Sequence, residues 1–166
     1  MSLVPSDLES KFEKSGWHRG RRVAVDPRVP VNHPAHLVLA ELGGLKLMRS
    51  FGDYEVCEVD FQYLPEKDDL TARWEAALGI ELVGMAEHHN GHGELLIGTT
   101  GHVFGNSFIH YAFWHVGSTF HEATVNLMAG NPHRPMLLDH ETSMHFGREY
   151  TRNDPEVLHP SSPEFR

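Results

Sequence analysis

Apolar residues recur along this chain in short blocks whose period switches between 3.6 and 2, and those switches divide it into elements. Leu8 and Phe12 stand four apart behind Ser6-Asp7-Leu8-Glu9, a capping-box pattern that opens a short helix ended by Gly16. Ala35, Val38, Leu39 and Leu42 lie on one face of a second helix, with Asn32 as its expected N-cap, Pro34 in its first turn and Gly43-Gly44 as its stop. A strand can begin at Leu45. From Val56 to Tyr63 the period is two: Cys57, Val59, Phe61 and Tyr63 fall on one face, and Glu58, Asp60 and Gln62 on the other. Asp68 or Asp69 caps a third helix with the stripe Leu70, Trp74, Ala77 and Leu78, and Gly79 ends it.

Glu81–Glu87, Glu94–Gly98, His102–Phe104 and Phe108–Val116 read as strands. His88–Gly93 and the turn around Thr99-Thr100-Gly101 connect them. A last helix starts at the capping box Thr119…Glu122, carries Phe120, Ala123 and Leu127, and stops at Gly130. Short connections make the sheet mostly antiparallel, and the helices can cover one of its faces. The fold class expected is α+β, a central mostly antiparallel sheet with helices packed around it. Residues 1–130 are expected to form one domain. Five of the ten prolines lie in residues 131–166, so that segment is expected to lack regular helix or sheet. It is expected to be a partly docked extension with a disordered tip, held by Met136, Leu137, Leu138, Met144 and Phe146.

Composition narrows the partners. The chain has 166 residues and is 40% hydrophobic, enough for a core without covalent staples. The single cysteine, Cys57, excludes an internal disulfide and is expected to be a buried, inert thiol. No apolar run reaches the length of a membrane span, and Met1–Glu9 lacks the pattern of a signal peptide, so a cytoplasmic protein is expected. Acidic residues outnumber Lys and Arg by 23 to 14, for a net charge of −9. That balance disfavours direct nucleic-acid binding and favours a basic protein partner. Seven acids from Asp53 to Asp69, among them Glu55, Glu58 and Asp60, are opposed only by Lys67. They form either a solvated strand face or a negative docking patch.

Histidine is the other candidate. The chain has 14, and His88, His89 and His92 crowd one loop between Glu87 and Glu94. Imidazoles and carboxylates are zinc ligands, yet this spacing matches no zinc motif, and Asn90-Gly91 argues against a helix that would align His88 with His92. An incidental His-rich loop, a metal-dependent enzyme and a pH-sensitive contact are the readings open here. Ser107 and Ser118 lack a nucleophile elbow, and no phosphate-binding glycine loop is present. No cofactor and no catalytic residue is expected.

Five motifs in order resemble the SUKH superfamily, named for Syd, Smi, Knr and related proteins, and within it the third immunity subfamily. They are Gly16-Trp17 followed by Gly20-Arg21, Leu39-Ala40-Glu41-Leu42-Gly43-Gly44-Leu45, Leu82-Val83-Gly84, Gly101-His102-Val103-Phe104, and Gly117-Ser118-Thr119 through Glu122-Ala123 to Leu127 and Gly130. His102 stands where the family pattern has arginine, and the His-rich loop and the segment after Gly130 lie outside the pattern. The resemblance spans about Leu8 to Gly130. It implies a non-catalytic immunity protein that binds and masks a bacterial polymorphic toxin, often a nuclease or deaminase domain. Asp53, Glu55, Glu58 and Asp60 are the expected toxin contacts, and a regulatory scaffold of the same fold is the rival.

Overall fold

Seven strands hydrogen-bond in chain order into one antiparallel sheet: β1 (Lys46–Phe51), β2 (Tyr54–Leu64), β3 (Leu82–His88), β4 (Gly93–Gly98), β5 (Val103–Ser107), β6 (Phe113–Gly117) and β7 (Arg134–Met136). This computed structural model describes residues 3–145 and 147–166, with His145 described by its backbone alone. Four α-helices accompany the sheet: α1 (Glu9–Lys14), α2 (Pro34–Leu42), α3 (Asp69–Leu78) and α4 (Phe120–Ala129). The class is α+β, as the apolar pattern implied.

The helices cover both faces of the sheet. Val83, Leu95, Ile97, Val103 and Val116 point to one side and pack with Val38, Leu39 and Leu42 of α2 and Ala123 and Leu127 of α4. Their neighbours Leu82, Leu96, Phe104 and Phe113 point to the other side, against Leu70 and Trp74 of α3. Double coverage explains why β4 is buried at all six positions and reads as a run without alternation. The expectation of one covered face is corrected accordingly. Among the described residues, no helix is long and apolar enough to cross a membrane.

The helix ends follow local chemistry with two exceptions. Asp68 caps α3 by accepting from Thr71 N, and Thr119 caps α4 by accepting from Glu122 N. The expected box at Ser6–Glu9 does not form. A turn closed by Leu8 N donating to Pro5 O leads into α1, and Leu8 occupies the cap position. At α2 the cap is His33, not Asn32. Proline at the next position holds His33 extended (φ −81°, ψ 140°), and its Nδ1 accepts from Ala35 N at 3.1 Å.

The Gly-Trp segment fastens the far end of α2. Trp17 is buried and donates through Nε1 to Glu41 at 3.1 Å. Arg21 donates to the carbonyls of Glu41 (2.6 Å) and Gly43 (2.8 Å). One guanidinium thus satisfies two orphan carbonyls at the negative end of a helix. Gly44 then turns the chain with φ +82°. Arg21→Ala is expected to lower stability by about 2 kcal/mol in urea unfolding. Arg21→Lys should recover less than half of that, because a point-like ammonium cannot bridge both carbonyls.

The segment after Gly130 is ordered more regularly than its prolines implied. β7 extends the sheet beside β6, and Leu158 adds a parallel bridge to Met136. Pro135 is tolerated because β7 is at the edge: its carbonyl accepts from Leu158 N on the side away from β6, where its missing N–H also falls. β8 (Thr142–His145) and β9 (Arg148–Thr151) form a separate hairpin. Met136 and Leu137 are buried and Leu138 half-buried, whereas Met144 is exposed; Phe146 lies outside the described residues. The tip, expected to be disordered, packs Phe165 against Phe104, His102 and His115.

Candidate functional site

A β-bulge in β2 sets the side-chain environment of the site. Leu47 pairs with Val59 and Met48 with Cys57, so Glu58 has no residue opposite it. The extra residue resets the alternation of β2. Val56 and Glu58 before the step, and Val59 and Phe61 after it, are all buried, while Cys57 and Asp60 are half-buried. The expected solvated face of Glu58, Asp60 and Gln62 is therefore corrected at Glu58, and the expected core position of Cys57 is corrected with it. Burial pushes the Cys57 thiol above its ordinary range, which keeps it protonated.

The Glu58 side chain is 3% exposed and meets Arg49 of β1, whose Nε donates to Oε2 at 2.8 Å. Arg49 also lies 4.1 Å over the Phe51 ring and reaches Gly130, the C-cap of α4. Its charge is thus placed among a carboxylate, an aromatic face and the negative end of a helix. His88 Nδ1 and His89 Nδ1 stand 3.7 Å from the two Glu58 oxygens.

The β3–β4 turn brings these imidazoles in. His89, Asn90 and Gly91 take φ of 50°, 57° and 76°, one turn of left-handed backbone. Asn90 stabilises it by accepting Cys57 N through Oδ1 at 2.9 Å. His88 is buried beneath the turn, with Nδ1 3.1 Å from the Glu58 carbonyl, and burial holds its pKa below the ordinary imidazole value.

Around this pair opens a cavity of about 750 Å³. Its walls come from the β3–β4 turn, the β5–β6 connection, Trp114 of β6, the end of α4 and the β8–β9 hairpin. Trp114 stands opposite Gly105, and a Cβ there would fall within the indole; glycine lets the ring lie flat across β5. The β5–β6 connection, expected to be strand from Phe108, is a loop. Ser107 Oγ accepts the N–H groups of Ile109 and His110, and β6 starts only at Phe113. Phe108, Ile109 and Tyr111 are more than half exposed as a result, as is Met144 across the mouth.

The four acids expected to act together are distributed over three places. Asp53 and Glu55 are exposed at the β1–β2 tip, on either side of Tyr54, which stacks on Phe51 beside His89. Glu58 is inside. Asp60 is half-buried and paired with Lys46 at 2.7 Å. Arg49, Trp114, Ile109, Met144 and His133 of the cavity were not anticipated, since no local pattern joins five separate elements. The histidines do assemble, but no group of three or more His, Cys, Asp or Glu among the described residues could hold a metal ion. For His88, His89 and His92 the geometry gives a reason: adjacent rings are 6.0 and 5.8 Å apart and tilted by 50°, and His88 Nδ1 is engaged by a backbone carbonyl.

A second polar cluster lies under α3. Asn106, fully buried, donates to Asp68, Thr71 and Glu94 at 2.9, 3.1 and 3.3 Å. Glu94 is 2% exposed and burial pushes its pKa up to about 7. At the end of the same face His115 meets His102 at 3.1 Å, and burial with this neighbour pushes His115 down to about 4.

Gly16, Gly43, Gly101, Gly117 and Arg21 of the motifs lie outside the cavity wall and serve the fold, whereas Gly130, which ends α4, lines the cavity. Gly16 and Gly101 occupy positive-φ turns, Gly43 and Arg21 close α2, and Gly117 admits α4, with a Cβ there only 2.5 Å from Ala123 N. No curated protein and no solved structure matches the chain. The family model of the SUKH-3 immunity proteins matches residues 4–130, which takes in these motif positions together with Trp17 and Gly44, all four helices and β1 to β6. The chain belongs to the SUKH-3 immunity protein family.

Proposed function

We propose that this protein neutralises a cognate polymorphic toxin by binding and masking it, in the bacterial cytoplasm and without catalysis. The observation that carries this reading is the match of residues 4–130 to an immunity family. The toxin inferred is a basic nuclease or deaminase domain, whose nucleic-acid groove must itself be positive. A net charge of −9 suits such a partner and not nucleic acid. Of the acids on the β1–β2 hairpin, Asp53 and Glu55 are exposed and in this reading make first contact; Asp60 is held by Lys46 and Glu58 is enclosed. Exposed rim charges act chiefly on encounter rate.

The test uses the protein encoded by the adjacent upstream reading frame. The two chains should form a stable complex whose association rate falls with rising salt. Asp53→Lys combined with Glu55→Lys should slow association about tenfold or more at low salt and leave dissociation nearly unchanged. Absence of a complex at every salt concentration rejects the reading.

A further inference from the structure

We propose that the cavity beside the Arg49–Glu58 pair is a socket for one uncharged aromatic or long aliphatic side chain, presented on a basic loop of the partner. The inference rests on the toxin-binding reading and names the chemistry of its anchor. Size is the first argument: about 750 Å³ lies within the ~300–1,000 Å³ of ordinary ligand clefts. Lining is the second. Trp114, Leu127, Ala112 and Pro132 form apolar wall, and half-exposed Ile109 and Met144 continue it out to the surface. Monomeric proteins leave such continuous apolar surface open mainly where something binds.

Charge decides the occupant. The two ions at the floor, Arg49 and Glu58, already satisfy each other at 2.8 Å, so neither calls for a counter-ion from outside. An inserted ion of either sign would meet a like charge as well as an opposite one at this floor, because Arg49 and Glu58 lie side by side, so it gains little attraction to offset the loss of its water. A neutral ring meets no such opposition and can take edge-to-face contacts from Trp114 and the imidazoles of His89 and His133. Beyond His89 of the cavity wall, the Phe51–Tyr54 stack leads to the exposed acids Asp53 and Glu55 on either side of Tyr54, so the residues around the anchor should be basic. The division of labour is that of other interfaces: a desolvated anchor sets the lifetime of the complex and rim charges set its rate of formation.

Three side-chain mimics test the socket without the toxin: N-acetyltryptophanamide, N-acetylargininamide and naphthalene-2-sulfonate, each titrated into the full chain at pH 8 and followed by amide NMR. The neutral indole should bind with a Kd on the order of 1 mM. Its shifts should be confined to the β3–β4 turn, Ile109–Trp114 and Leu127–His133. Ile109→Asp, at an exposed wall position, should weaken it about fivefold or more with the melting temperature unchanged. No binding, binding elsewhere, indifference to Ile109→Asp, or equal or tighter binding of either charged mimic overturns the proposal. In the complex, Ile109→Asp should raise the dissociation rate about tenfold or more with association little changed. An intact complex that is insensitive to this change sinks the socket and leaves toxin binding standing.

Discussion

Arg49→Met is expected to cost about 3–5 kcal/mol of stability, with a fall in Tm on the order of 10 °C. The substitution leaves Glu58, a side chain 3% exposed, without the guanidinium that compensates its charge. It also removes a cation from the end of α4 and from the Phe51 face. The double variant Arg49→Met with Glu58→Leu should recover to within about 1 kcal/mol of the parent, since an apolar pair of similar volume carries no desolvation penalty. Urea unfolding of the parent, both single variants and the double variant closes this cycle. Equal and additive losses would mean that the pair is not buried as a unit.

The second large effect is a partial cancellation in pH dependence. Glu94 has a folded pKa of about 7 against 4.5 for an ordinary glutamate. Its contribution is complete below pH 4.5 and is lost as pH rises through 7, by about 3 kcal/mol. His115 has a folded pKa of about 4 against 6.5, so its contribution is complete above 6.5 and is lost as pH falls toward 4, again by about 3 kcal/mol. His88, also shifted down by burial, adds to the second ramp. The two ramps share one window with opposite slopes, so in the parent protein each partly masks the other. Glu94→Gln keeps an acceptor for Asn106 and removes the first. Its stability relative to the parent should improve by about 3 kcal/mol between pH 4 and pH 8. His115→Asn should show the reverse trend over the same range. Parallel pH profiles for parent and Glu94→Gln would show that the carboxyl is solvated when folded.

What was legible in the sequence was local. Thr119 with Glu122, Asp68, Gly79 and Gly130 mark helix ends through contacts within a few residues, and the structure places them there. The same short range explains the misses at Ser6 and Asn32, where a proline-led turn and a His before Pro34 supplied another way to satisfy the same donors. The bulge at Glu58 was not legible. Residues 56–63 alternate cleanly as written, and only the pairing of β1 with β2 reveals one residue too many. That one residue turns an acid from surface to interior and creates the cavity floor. Glu94 illustrates the same limit: a glutamate inside an apolar strand looks like an outward-facing position until α3 is seen to cover that face. The histidine loop was visible as a loop, but its neighbours come from β1, β2, β6 and α4, separated by 30 or more residues from at least one partner.

The most direct test of the central claim is a titration of toxin activity with this protein. The purified upstream-encoded toxin is held at a concentration well above the expected Kd, and increasing amounts of the chain are added. Masking predicts linear loss of activity to a sharp end point at one equivalent, with the toxin recovered unmodified in mass and fully active after the complex is denatured and separated. Complete inhibition by a small fraction of an equivalent, accompanied by a lasting change in the toxin's mass, would contradict it.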